Sequence, residues 1–135
     1  MDRNLMGNIN PKSLKPATQA EIEAETEEKF PDAAGLKYHP GVVKAWARWT
    51  EVTTTALADS YGVTSVTDNG TGATTVNLSI TLSSSNACAV YSHSAASQAG
   101  RVSAIGTTSV STNHGTTGVT TTDASICSLV VMGDI

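Results

Sequence analysis

A chain of 135 residues is long enough for one domain with a short extension, and it buries only a modest core. The formal net charge of −4 argues against a nucleic-acid partner, because phosphate binding needs clustered lysine and arginine. Aromatic residues make up only 4% of the chain, whereas Thr, Ser and Gly crowd residues 52–123. Threonine favours strands, so we expect a mainly β protein that completes its core by self-association.

Residues 1–16 are predicted to form an extended arm, because glycine and prolines interrupt a mixed polar segment. This segment has no long apolar run and no small-residue cleavage site, which predicts neither a signal peptide nor a membrane span. We expect the arm to become ordered when it anchors to a larger particle. Its apolar anchors are Leu5, Met6, Ile9 and Leu14.

Residues 17–42 are predicted to form a helical stem and a linker. Thr18 and Glu21 have the T-x-x-E spacing of a capping box, and Pro31 ends the helix. The apolar side of this helix is thin, so it needs partners to be stable. That side consists of Ala20, Ile22 and Ala24. The glutamates that follow predict a solvated face, with a docking patch for a basic partner as the alternative.

From residue 43 onwards the pattern has a period of two, which predicts a β-rich tip domain over residues 43–135. In residues 44–52, one face carries Ala45, Ala47, Trp49 and Glu51, and the other carries Lys44, Trp46, Arg48 and Thr50. Asn69-Gly70 predicts a tight hairpin turn between strands at 63–68 and 73–82, with both residues of the pair able to hold a positive φ. Further strands are expected at 88–94, 101–108 and 125–132, with turns at Ala99-Gly100 and Asn113-His114-Gly115. The prediction is an antiparallel β-sandwich or barrel-like fold of six to eight strands.

The sequence predicts no catalytic residue, no cofactor site and no metal site. It has no phosphate-binding loop or hydrolase motif, and after Asp68 the only acids are Asp123 and Asp134. No two histidines have the sequence spacing of a pair of metal ligands, although a threefold assembly could bring three copies of His93 together. Two interpretations of Cys88 and Cys127 stay open: small buried hydrophobes, or a disulfide within or between chains.

Several motifs, taken in order, resemble bacteriophage and prophage tail-fibre proteins. The first is a short helical module, and the second is a His-Pro-Gly segment that leads into Lys44-Ala45-Trp46. The resemblance continues through residues 60–80 and resumes at 127–134, so it covers about two thirds of the chain. Glu25, Lys29 and Phe30 depart from the usual pattern. The matching residues of the module are Ala17, Thr18, Gln19, Ala20, Glu21, Glu23, Ala24, Thr26, Pro31 and Leu36.

This resemblance implies a structural virion protein, made in the bacterial cytoplasm, and not an enzyme. It implies a short homotrimeric fibre whose arm binds capsid, collar, tail or baseplate, and whose stem packs Ala20, Ile22 and Ala24 around a threefold axis. The β tip would attach to a host-surface glycan, with no nucleic-acid partner and no membrane insertion. Candidate receptor loops are Ser83–Ala87, Ala95–Gly100 and Thr112–Gly118. The alternatives are a head or collar decoration protein with a stabilising role only, and a carbohydrate-binding module.

Overall fold

The computed structural model describes residues 16–24, 32–96, 98–115 and 122–135, and the chain divides into two units, Met1–His39 and Pro40–Ile135. In the first unit, helix α1 spans Gln19–Glu23 and a 3-10 turn spans Gly35–Tyr38. The predicted capping box is confirmed, because the Thr18 side chain accepts from the backbone N–H of Glu21 and the Glu21 carboxylate accepts from that of Thr18. The predicted arm anchors Leu5, Met6, Ile9 and Leu14 lie outside the described residues.

The three predicted stem residues have different environments in this unit. Ile22 is buried, and its Cδ1 lies 2.9 Å from the position that a Cβ on Gly35 would occupy. Ala20 and Ala24 are exposed. Ile22 therefore packs against its own chain, and of the predicted stripe only the two alanines stay free for another helix. Residues 25–31, where the helix was expected to continue, lie outside the described part, and the trimeric stem stays a prediction.

The second unit is a sandwich of two antiparallel four-stranded sheets. One sheet, here called sheet A, has the order β2-β1-β8-β5, and sheet B has the order β3-β4-β7-β6. The predictions of a mainly β fold and of six to eight strands are thus confirmed for the described residues, which form eight strands in two sheets. The strands are β1 Val43–Thr50, β2 Ala56–Tyr61, β3 Val63–Asp68, β4 Ala73–Leu78, β5 Cys88–His93, β6 Gly100–Ile105, β7 Ser109–His114 and β8 Cys127–Met132.

Alternation along the strands builds the core between the sheets, because successive side chains of a strand point to opposite faces. On β1, Ala45, Ala47 and Trp49 are buried, and Glu51 continues the same face, as predicted. On β4 every second residue is buried, including Val76 and Leu78. Few large side chains fill this core. The largest apolar ones that are fully buried are Trp49, Leu82 and Leu129.

Four local predictions are wrong. The expected turn at Asn113-His114 is the end of strand β7, and Gly100 begins strand β6. The hairpin after β3 takes its positive φ values at Gly70 and Gly72 and not at Asn69. The strand predicted to end at residue 82 ends at Leu78, because the chain then crosses to the other sheet. Strand β2 was not predicted, since four of its six residues are exposed and it lacks a clear period of two.

Strand directions place the loops of the sandwich at two poles. Val43 pairs with Met132, so strand β1 begins where β8 ends, and we call this end the near pole. It also carries Gly62, residues 79–87 and residues 106–108. The opposite end, the far pole, carries residues 51–55 and 69–72, together with the described residues of two further connections, 94–96 and 98–99 before β6, and 115 and 122–126 before β8. Among the candidate receptor loops, Ser83–Ala87 therefore lies at the near pole, whereas the described parts of Ala95–Gly100 and of Thr112–Gly118 lie at the far pole.

We predict that Gly62→Ala destabilises the sandwich more than Gly70→Ala. Both glycines have a positive φ, 68° and 105°, which costs a side chain roughly 1–2 kcal/mol. A Cβ on Gly62 would also lie 2.5 Å from the Lys44 carbonyl oxygen, whereas nothing lies within 4 Å of a Cβ on Gly70. Urea unfolding should show the larger loss for Gly62→Ala, by about 1–3 kcal/mol over the control. Equal losses would contradict the tight crossing from β2 to β3.

Candidate functional site

A buried carboxylate, that of Glu51, lies between the two sheets at the far pole. Glu51 directly follows β1 and is 5% exposed. Its Oε1 accepts from the Thr74 hydroxyl at 2.6 Å and from the Trp49 indole N–H at 3.4 Å. Its Oε2 accepts from the backbone N–H of Ala124 at 3.3 Å. Three donors thus replace the water that a buried carboxylate loses, which offsets most of the cost of its burial.

The imidazole of His114, at the end of β7, lies beside this carboxylate. His114 is fully buried, and its Nε2 is 3.5 Å from Glu51 Oε2 and 2.9 Å from the carbonyl oxygen of Thr122. A carbonyl oxygen only accepts, so Nε2 carries a proton in this arrangement. In the neutral imidazole Nδ1 is then an acceptor, and it lies 2.9 Å from the Tyr91 hydroxyl.

The Tyr91 hydroxyl connects the imidazole to a thiol. It lies 3.5 Å from the sulfur of Cys127, the first residue of β8, which is fully buried. If Tyr91 donates to His114, the thiol of Cys127 is left to donate to the phenolic oxygen. A continuous polar chain therefore runs from Cys127 through Tyr91 and His114 to Glu51. We call these four residues the polar cluster.

Aromatic rings line one side of the polar cluster. Tyr91 stacks on Trp49 with ring centroids 5.8 Å apart, and on His93 at 5.6 Å. His93 in turn stacks on His114 at 4.4 Å with a 17° angle between the rings. Gly100 makes this stack fit, because a Cβ there would lie 2.4 Å from the ring of His93.

Burial shifts several pKa values in the direction that keeps these groups neutral. Desolvation raises the pKa of the Cys127 thiol to about 12, with the nearby Glu51 charge as a further cause. Desolvation also raises the pKa of Tyr91 above its ordinary range, assisted by its contact with Cys127. Burial, and then the neighbouring His114, lower the pKa of His93. These shifts favour the protonated forms of the thiol and the phenol, which are the weaker nucleophiles.

The polar cluster does hold atoms that bind metals. One oxygen of Glu51, a ring nitrogen of His114 and the sulfur of Cys127 all lie within 4.8 Å of one another. The sequence prediction of no metal site missed this grouping, because β1, β7 and β8 bring its members together over long sequence separations. The sequence contained one indication of the site, because the alternation along β1 places Glu51 on the buried face.

The two cysteines lie apart, so a disulfide between them within one chain is a wrong prediction. Both thiols are free, Cys88 exposed and Cys127 buried. Cys88 pairs with Met132 and Cys127 with His93, at opposite ends of the β5–β8 ladder. At about 3.3 Å per residue the two levels are about 16 Å apart, whereas a disulfide needs Cα atoms closer than about 7 Å. A bond between chains through Cys88 stays a prediction.

A second feature is an apolar row across the outer face of sheet A. The row runs through four strands that pair in register, from Tyr61 to Trp46 to Val130 to Val90. Tyr61 is 61% exposed and Val90 58%, while Trp46 and Val130 are half-buried. Large apolar side chains that stay exposed side by side indicate an interaction surface.

Comparison of the chain with protein-family models, with curated proteins and with solved structures gives no match. Within the described ranges, every helix is too short or too polar to cross a bilayer.

We predict that Glu51→Gln destabilises the protein by about 2–4 kcal/mol. The amide nitrogen would turn one of the three accepted hydrogen bonds into a contact between donors, and the remaining amide oxygen accepts more weakly than a carboxylate oxygen. Asp134→Asn is the matched control, because Asp134 is exposed. Urea unfolding of both variants should show a loss for Glu51→Gln only. A loss below about 0.5 kcal/mol would mean that the carboxylate is not paired as described.

We predict that stability of the metal-free protein has a maximum between about pH 6.5 and pH 9. Above pH 9 the unfolded chain loses the Cys127 proton that the folded chain keeps, so stability falls, by at most about 1.4 kcal/mol per pH unit for one proton. Below pH 6.5 His93 binds a proton in the unfolded chain, whereas its lowered pKa keeps it neutral for longer in the folded chain. The unfolded chain therefore binds more protons, and stability falls again.

Unfolding free energies measured from about pH 5 to about pH 10 test this profile. Cys127→Ala should flatten the alkaline decline between pH 9 and pH 10, where Tyr91 contributes little, and Cys88→Ala should keep it. A wild-type profile that is flat above pH 9 would contradict the buried thiol.

Proposed function

We propose that this chain is a subunit of a short homotrimeric bacteriophage fibre, with the sandwich as its tip. The observation that carries the proposal is the order of elements along the chain. A capped helix at Gln19–Glu23 comes first, then the His39-Pro40-Gly41 segment, and then a strand, β1, that opens a sandwich. This is the order expected from the resemblance to tail-fibre proteins. Anchoring residues 1–16 to a particle would make the protein a virion component.

The two poles support different roles for the two ends of the tip. The chain enters the sandwich at the near pole, where β1 begins, so the far pole points away from that attachment. Loops on a rigid scaffold carry most binding function. We therefore assign host-surface attachment to the far-pole loops, with residues 94–96, 98 and 99 as their described part between β5 and β6. Tethered copies strengthen weak contacts, which makes trimeric display effective.

The apolar row supports self-association. It would be costly to leave Trp46, Tyr61 and Val90 in water together, and a second copy of the chain offers the same apolar surface. The small core of the sandwich gives a further reason, because covering the row adds apolar burial that one chain lacks. In the proposed trimer the row lies between subunits.

One observation favours a different function. Tyr61 and Trp46 are neighbours on an exposed sheet face, and flat aromatic faces can pack against sugar rings. A monomer that binds glycans through this pair would be a carbohydrate-binding module, the alternative that the sequence left open. The solution mass separates the two functions, because only the fibre needs the row to be covered by other copies.

We predict a trimer in solution, with about three times the chain mass of 13.9 kDa by light scattering and an elongated shape by small-angle X-ray scattering. Val90→Lys should lower the mass to that of a monomer, because it places a charge in the apolar row. Val52→Lys is the control, since Val52 is similarly exposed but lies in the loop after β1. A monomeric wild-type chain would contradict the proposal, and so would a trimer that is unaffected by Val90→Lys.

We further predict that a far-pole change abolishes attachment to host cells, while a near-pole change does not. Ala96→Arg adds a long cation to the exposed far-pole segment, and Ser85→Arg adds the same cation to an exposed near-pole loop. Binding of fluorescent protein to the bacterial host, or to a glycan array, measures the effect. Loss of binding in Ser85→Arg alone would reverse the assignment of the poles.

A further inference from the structure

We propose that Glu51, His114 and Cys127 form a zinc site that joins the two sheets beneath the far-pole loops. This inference goes beyond the proposed fibre function and does not depend on it. It starts from the grouping of three different ligand atoms on buried residues at the far pole, where the end of β1, the end of β7 and the start of β8 meet.

The spacing of the atoms suits a tetrahedral ion. Ligands at about 2.0–2.3 Å from zinc lie roughly 3.3–3.8 Å apart from one another. His114 Nε2 and Glu51 Oε2 are 3.5 Å apart, and the Cys127 sulfur lies within 4.8 Å of a ring nitrogen of His114 and of a carboxylate oxygen of Glu51. Coordination would require the sulfur to move by up to roughly 1 Å towards the other two ligands. The combination of thiolate, imidazole and carboxylate is typical of Zn²⁺ and unsuited to Ca²⁺ or Mg²⁺.

The charges of the loaded site cancel. Zn²⁺ carries two positive charges, and the Glu51 carboxylate and the Cys127 thiolate supply one negative charge each. Binding releases the Cys127 thiol proton to solvent, while the imidazole stays neutral and its proton changes from Nε2 to Nδ1. A neutral buried assembly avoids the desolvation cost that opposes burial of a net charge.

The groups around these ligands have the roles expected of outer-shell partners. Thr74, Trp49 and Ala124 donate to the Glu51 carboxylate and fix its orientation. Tyr91 lies 2.9 Å from His114 Nδ1, so it accepts from that atom when Nε2 binds the ion. Metal-binding histidines usually direct their second nitrogen to such a partner. The carbonyl oxygen of Thr122, 2.9 Å from Nε2, is an oxygen ligand beside the fourth coordination position of the ion.

The placement of the ligands gives the ion a structural role. His114 ends β7 in sheet B, whereas Cys127 begins β8 in sheet A and Glu51 follows β1 in sheet A. An ion bound to all three therefore ties one sheet to the other. A chain with few large core side chains gains stability from such a link, as small metal-binding domains do.

The Cys88→Ser variant of the full, untagged chain tests the site, because it leaves Cys127 as the only thiol of the two in the sequence. Titration of the metal-free variant with Co²⁺ should give one bound ion per chain, with tetrahedral d–d bands and a thiolate-to-cobalt charge-transfer band. Zn²⁺ should then displace Co²⁺. Saturating zinc should raise the melting temperature by roughly 10 °C, since the ion binds only the folded chain.

Cys127→Ser is the paired variant, and its circular dichroism is compared with that of the wild type before titration. In its folded form it should lose the charge-transfer band and most of the zinc-induced rise in melting temperature. Binding that survives in Cys127→Ser but disappears in Cys88→Ser would overturn the proposal. A folded Cys88→Ser protein without a charge-transfer band would also overturn it, and this result decides the question even if Cys127→Ser does not fold. The mass of the wild-type assembly, measured separately, reports on the fibre proposal alone.

Discussion

The carboxylate of Glu51 is the group on which the far pole of the sandwich depends. An unpaired buried charge costs several kcal/mol, so this side chain requires every partner that it has. Its partners come from three separate parts of the chain: Thr74 on β4, Ala124 before β8 and His114 on β7. The contact with Ala124 is reciprocal, because the backbone N–H of Glu51 also donates to the Ala124 carbonyl oxygen. One acidic residue thus fixes the positions of both sheets and of the connection that leads into β8.

Much of the sandwich could be predicted from the sequence, because local patterns determine its most regular parts. The alternation on β1 and β4, the glycine-rich hairpin between β3 and β4, and the Thr18 capping box follow from neighbours in sequence. Strand β2 could not be predicted, since its exposed edge position leaves its residues without a period of two. His114 was assigned to a turn because Asn-His-Gly favours turns locally. Its partners Tyr91 and Glu51 are distant in sequence, and their contacts override that preference.

The polar cluster illustrates why the candidate site was harder to predict than the fold. Each member has an ordinary explanation on its own: a strand cysteine, a strand tyrosine, a histidine near a glycine. The register of β5 against β8 sets His93 opposite Cys127, and the packing of the two sheets brings His114 to the same place. The burial of Glu51 was the one feature visible in advance. A buried acid in a strand pattern requires partners, and looking for those partners would have directed attention to the histidines.

The position of β8 has a consequence for how the protein folds. This strand is the last of the eight along the chain, yet it lies in the middle of sheet A, between β1 and β5. During synthesis the hairpins of sheet B can form early, because their strands are mostly close in sequence. Until β8 has left the ribosome, β1 is paired on one edge only, with β2, and β5 has no partner strand in sheet A. Closing this long-range pairing is slow, and unpaired strand edges are where neighbouring chains join incorrectly. Newly made chains are therefore most prone to aggregation just before the final strand inserts.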